Sequence, residues 1–212
     1  MLKYIKTMCY IYCALLFLCG LVIQDVIGQV NNLIVTQSQD TDIYFPKGVF
    51  SSELGRSERQ AELYSERLKL MSETPIFFVK KQHGEVYRFL WGRAFHSRIM
   101  IRVQKKDKTY SLVLKQTKKQ DSNMMIEQEE ERILTSKEWN MFINHLNKLS
   151  FWNYSLFNDE VCLDGSTWML EAAKNGKYHV IHRYCPKSQK FRNACLYLVK
   201  LSGLKLDPKE IY

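Results

Sequence analysis

Glu171 and His182 carry the most chemistry in their spacing. They fall on two alternating runs, Thr167–Ala173 and Lys177–Tyr184, joined at Lys174-Asn175-Gly176. Asn-Gly tolerates the positive φ angles of a type I′ turn, so the segment is predicted to be a tight β-hairpin. A two-residue loop at Asn175-Gly176 sets Ala172 opposite His179, Leu170 opposite Ile181, Trp168 opposite Arg183 and Glu171 opposite Val180. His182 then sits diagonally from Glu171, within reach of a long side chain. A carboxylate beside an imidazole is the minimal unit of acid–base catalysis. With His179 and Asp164, the pair makes a candidate catalytic set for a small hydrolase-like enzyme. The simpler reading is a polar pair on a sheet surface, because no third partner for nucleophilic catalysis is identifiable. Trp168 opposite Arg183 suggests an indole–guanidinium contact worth about 0.5–1 kcal/mol when exposed. That contact reads first as structure and second as a ligand platform.

A second constellation is basic. Arg88, Arg98 and Arg102 occupy alternating strand positions, with Arg93 and His96 in the connection between the strands. Such a face is suited to an anionic partner, either an acidic protein surface or an anionic envelope component; the bland reading is a solvated sheet face. Nucleic acid is the usual partner of a basic protein, but the export reading below disfavours it. The five histidines are scattered, without H-E-x-x-H, H-x-x-E-H or C-x-x-C spacing, and there is neither a Gly-rich phosphate loop nor G-x-S-x-G. Neither a metal site nor a cofactor is therefore expected.

The N-terminus reads as an export signal. Lys3 and Lys6 precede an uncharged, mostly apolar run from Met8 to Ile23, and Val26-Ile27-Gly28 suits cleavage before Gln29. The run is short of the roughly 20 residues of a spanning helix, so the mature chain is expected to have no transmembrane span and to work in the periplasm or outside the cell. Cleavage removes Lys3, Lys6 and Asp25, so the net charge falls from +9 to +8. It also removes Cys9, Cys13 and Cys19, leaving Cys162, Cys185 and Cys195, enough for one disulfide and one spare thiol. Stability must then come from an ordinary apolar core.

The elements that position these residues are legible in outline. Residues 29–50 read as a poorly structured lead-in, and 51–212 as a single domain. A helix is expected over Glu58–Ser72, with Ser57 and Gln60 at capping-box spacing and Pro75 beyond its end. Strands are expected at Ile76–Lys80, Glu85–Trp91, Arg98–Gln104 and Thr109–Gln116, with His83-Gly84 as a turn. Met125–Leu134 is ambiguous: its glutamates favour helix, its ends favour strand. Ser136–Lys148 is the clearest helix, with a Thr135/Glu138 capping box and a Trp139, Phe142, Ile143, Leu146, Leu149 stripe. A last helix spans Gln189–Ser202, capped by Ser188 and stopped at Gly203. The order implies an α+β fold, an antiparallel sheet of five to six strands with helices packed on one face.

Tyr87-Arg88-Phe89-Leu90-Trp91 with Arg93 and Phe95-His96, then Leu163-Asp164-Gly165-Ser166-Thr167-Trp168 and Gly176-Lys177-Tyr178-His179, resemble segments of small exported bacterial proteins of unknown function. The resemblance spans about Tyr87 to Gly203. It implies no activity but singles out Arg88, His96, Asp164, Trp168, Glu171 and His179. The preferred expectation is an exported, non-enzymatic binding or interaction module with a basic sheet face. The hydrolase-like enzyme and a binder of anionic envelope surfaces are the alternatives.

Overall fold

The computed structural model describes residues 43–77, 84–120, 123–158 and 165–212. The export signal, His83, Cys162 and Asp164 lie outside the described residues, as does most of the strand expected at Ile76–Lys80. Six strands form one antiparallel sheet: β1 Glu85–Arg93, β2 Arg98–Lys106, β3 Thr109–Gln120, β4 Asn123–Ile133, β5 Ser166–Lys174 and β6 Lys177–Tyr184. Their order across the sheet is β4-β3-β2-β1-β5-β6. Among the described residues three α-helices complete the α+β fold: α1 Leu54–Leu70, α2 Ser136–Leu149 and α3 Gln189–Ser202. Among the described residues no helix is long and apolar enough to cross a membrane.

Strand alternation sends successive side chains to opposite faces. Tyr87, Phe89, Trp91, Ile99, Ile101, Trp168, Leu170 and Ile181 share one face and pack with Phe142, Leu146, Phe191 and Leu198 of α2 and α3. The other face carries Leu90, Met100, Val113, Met169 and Val180, which are equally buried. Tyr64 and Leu68 of α1 cover it, together with Tyr44, Phe45, Val49 and Phe50. Thus α2 and α3 hold one face as expected, while α1 takes the opposite one, because both faces bear apolar side chains that must leave water.

The 43–50 segment is therefore structural cover, and the body begins at Ile43 rather than at residue 51. Its two aromatic and aliphatic pairs have too short a period to show as a helix or strand. The first helix also starts earlier than its spacing suggests. Glu53 is its N-cap without a side-chain bond, and Ser57 lies inside, accepting the Phe50 N–H at 3.2 Å. Ser57 thus ties the cover segment to α1 instead of capping it. At the other end Ser72 adopts left-handed geometry (φ 53°), and Glu73 N–H donates to Leu68 O at 2.9 Å, closing α1 before Pro75 is reached.

Three local signals act as their chemistry dictates. Thr135 and Glu138 form a reciprocal capping box at α2. Asn175 and Gly176 both take positive φ (52° and 75°), and β5 and β6 pair in the register given above. Gly203 at φ 77° ends α3. Ambiguous Met125–Leu134 resolves as the edge strand β4, where Lys115 pairs across from Glu129 and Lys118 meets Glu127. Cross-strand lysines thus satisfy glutamates whose propensity alone favours a helix. Cys185 is disulfide-bonded, with its partner outside the described residues, and Cys195 is a buried free thiol.

Candidate functional site

The strand arginines expected on an exposed face are mostly inside the protein. β1 lies between β2 and β5, which places Arg88 beside both Arg102 and Glu171. Arg88 Nε donates to Glu171 Oε1 at 2.8 Å, Nη2 lies 2.7 Å from the same oxygen, and Nη1 donates to Thr74 O at 2.8 Å. Glu73, at the end of α1, accepts from Arg102 Nε at 2.9 Å and lies 3.2 Å from Lys115 Nζ. Tyr178 donates to Glu171 Oε2 at 2.8 Å. Burial pushes the Glu171 carboxyl up, with Arg88 and Tyr178 opposing; burial also works against the Arg88 charge, which Glu171 and Glu73 restore. Glu73, Glu129 and Glu171 balance Arg88, Arg102 and Lys115, so this part of the sheet presents no net basic face. A guanidinium that enters a sheet-and-helix interior must be paired, and strand spacing alone does not reveal the helix that covers it.

The candidate catalytic set is not assembled by the described residues. Glu171 is saturated by Arg88 and Tyr178, while His182 Nε2 bonds the Tyr64 hydroxyl at 2.8 Å. His179 belongs to the opposite face, edge-on to Phe151 at 5.1 Å, and burial lowers its pKa. Asp164 lies outside the described residues. Nor do Trp168 and Arg183 stack. Trp168 is fully buried against Trp91 at 4.6 Å, with the Arg192 guanidinium over it at 5.1 Å. Arg183 turns to Ser155 and lies over Tyr154 at 5.0 Å. Arg93 donates to Ser97 O and pairs with Glu210 at 2.9 Å, while His96 Nδ1 is 3.0 Å from the exposed Tyr212 hydroxyl. Among the described residues no group of His, Cys, Asp or Glu could hold a metal ion.

What the fold does assemble is a cleft of about 430 Å³ between α1 and the far end of the sheet. Arg56, Gln60, Tyr64 and Arg67 recur every three or four residues along α1, so one helix face looks into it. The sheet contributes Gly92 of β1, Arg98 of β2, Thr167 of β5 and His182 of β6. Among the described residues four arginines line the cleft and no carboxylate does. Arg93 is neutralised by Glu210, whereas among the described residues Arg56, Arg67 and Arg98 have no ion pair. Burial, and then the neighbouring Arg98, pull the Arg67 pKa down; burial does the same to Arg98. His182 is pushed down to about 4 by burial and by Arg183, Arg56 and Arg67, so it is neutral near pH 7.

Gly92 forms the floor. A Cβ there would meet Thr167 Oγ1 at 2.5 Å, so the missing side chain is what admits the Thr167 hydroxyl; Arg67 Nη1, 3.5 Å away, would be in ordinary contact. Of the residues singled out beforehand, the cleft gathers Arg93, Arg98 and His182 and leaves Arg88, Arg102, Glu171, His179 and Trp168 elsewhere. Arg56, Gln60, Tyr64, Arg67 and Thr167 were missed. The helical spacing of the first four on α1 is a usable signal, but a helix begun at Glu58 leaves Arg56 outside it, and nothing in its spacing marks Thr167 on β5.

Fold and cleft together define a six-stranded antiparallel α+β domain with an arginine-lined cavity under its first helix. No protein-family model matches the chain, and no curated protein matches it either.

Proposed function

We propose that this protein is an exported, non-enzymatic binding module that takes an anionic group of its partner into the α1 cleft. The observation that carries the reading is the trio Arg56, Arg67 and Arg98, gathered around one cavity with no carboxylate among its described lining residues. Arg67 and Arg98 are half-buried and Arg56 is exposed at the rim; like charges held near one another repel, and an anion relieves that repulsion while gaining charge-assisted hydrogen bonds. The trio replaces the sheet face Arg88–Arg102, whose charges are already matched, as the basis for an anionic partner. Export is supported by the Lys3-to-Gly28 pattern and by the disulfide at Cys185, since such bonds persist in oxidising compartments.

Thermal unfolding in orthophosphate tests the binding. At 100 times the dissociation constant, a one-site ligand stabilises by about 2.7 kcal/mol, which for a domain of this size raises the midpoint by about 5–10 °C. The rise is expected for the natural sequence and lost in Arg56→Ala/Arg98→Ala. A midpoint indifferent to phosphate and to sulfate would remove the proposal.

A further inference from the structure

We infer that the outer edge of β4 takes a basic, extended segment of a protein partner as an added strand, at a surface separate from the α1 cleft. The two edges of the sheet differ. Along β6 the segment after α2 lies close: His182 N–H donates to Leu156 O at 2.7 Å, and the Arg183 guanidinium donates to Ser155 O at 2.8 Å and to Leu156 O at 3.1 Å. β4 is eleven residues long and, among the described residues, pairs with β3 alone. Alternate residues of such an edge strand turn their N–H and C=O groups outward, the template on which an added strand pairs.

The side chains of β4 restrict what that strand carries. Ile126, Glu129, Glu131 and Ile133 pair across from Thr117, Lys115, Val113 and Ser111, so they share the face that α1 covers. Carboxylates fill the middle of this row, and apolar side chains end it, Ile126 37% and Ile133 64% exposed. Charge alone is enough to keep an edge strand single; the exposed isoleucines add apolar surface that an incoming strand removes from water. Lys115 meets Glu129 and Lys118 meets Glu127, while Arg132 is held by Glu138 and Leu201 O. Among the described residues Glu130 and Glu131 have no ion pair. A partner residue beside Glu129 or Glu131 is therefore favoured as Lys or Arg, and one beside Ile126 or Ile133 as apolar. A second copy of the chain does not supply this pattern. Antiparallel pairing about Glu130 would set Glu130 against Glu130 and Glu129 against Glu131, and like charges directly opposite are destabilising.

Fluorescence anisotropy with the tagged peptide Val-Thr-Lys-Thr-Lys-Thr-Val, blocked at both ends, tests the assignment. Saturable binding is expected, and it should weaken about ten-fold or more when both lysines are replaced by glutamate. Two further versions, N-methylated at one or the other set of alternate residues, keep the charge. Only the version that blocks the paired edge is expected to lose binding, again by about ten-fold or more. Glu131 is exposed, and Glu131→Lys should weaken the lysine peptide by a similar factor. If both N-methylated versions bind like the unmodified peptide, strand addition is overturned. Equal binding of the glutamate version, or unchanged binding in Glu131→Lys, overturns the basic partner. Should the natural chain be dimeric in sedimentation equilibrium and bind none of the peptides at about 1 mM, a second copy holds the edge and the proposal falls. The peptide comparisons use the natural sequence, so they decide the matter whatever the variant does to folding.

Discussion

Arg88 and Glu171 face each other across β1 and β5, with Arg88 Nε and Nη2 at 2.8 and 2.7 Å from one carboxylate oxygen and no side-chain surface exposed on either residue. The pair joins the two strands at the centre of the sheet and, through Glu73, reaches the end of α1. Removing one partner leaves the other charged and buried, which typically costs about 3–5 kcal/mol. Arg88→Met and Glu171→Leu are each expected to lower unfolding free energy by that amount in urea titrations. The double variant should lose less than the sum by about 0.5–3 kcal/mol. Strict additivity would mean that the two charges do not act as a unit.

His182 makes stability depend on pH in a defined direction. It is met by Tyr64 and Phe50 from the covering layer, and it feels Arg56, Arg67 and Arg183. Its folded pKa of about 4 lies below the ordinary value of 6.5, so the unfolded chain binds the proton more readily between those values. Stability is therefore full above about pH 6.5 and declines as pH falls toward 4, by an amount on the order of 3 kcal/mol. The natural sequence is expected to show a steeper acid-side slope over that window than His182→Gln in chemical denaturation at stepped pH. Superimposable slopes would show that the imidazole takes no part.

Gly92 leaves the room that the Thr167 hydroxyl occupies beneath the cleft. In Gly92→Ala the added methyl meets Thr167 Oγ1 at 2.5 Å, an overlap that must shift the Thr167 side chain or the strand beneath the cleft, while Arg67 Nη1 at 3.5 Å is in ordinary contact. Orthophosphate affinity is expected to weaken by about ten-fold, equivalent to about 1.4 kcal/mol. Gly92→Ala/Thr167→Ala, which removes the colliding oxygen, should recover most of the loss. Natural affinity in the single variant would rule out Gly92 as a determinant of the site.

The β5–β6 hairpin with its register, the Thr135/Glu138 cap and helices α2 and α3 are readable from residues alone. Each depends on a few neighbours: Asn-Gly needs only positive φ, a capping box only its own four residues, and an amphipathic stripe only its period. The partners of Glu171 and His182 were decided at longer range. Hairpin geometry places Glu171 near His182, but β1 enters beside β5 and supplies Arg88, 83 residues away, while α1 supplies Tyr64, 118 residues away. A carboxylate leaving water takes the strongest compensating charge within reach, and which charges are within reach depends on strand order and on the face each helix covers. The arginine cleft arises in the same way. Arg67 and Arg98 belong to separate, individually ordinary segments, and they become a site where α1 crosses the end of the sheet above Gly92.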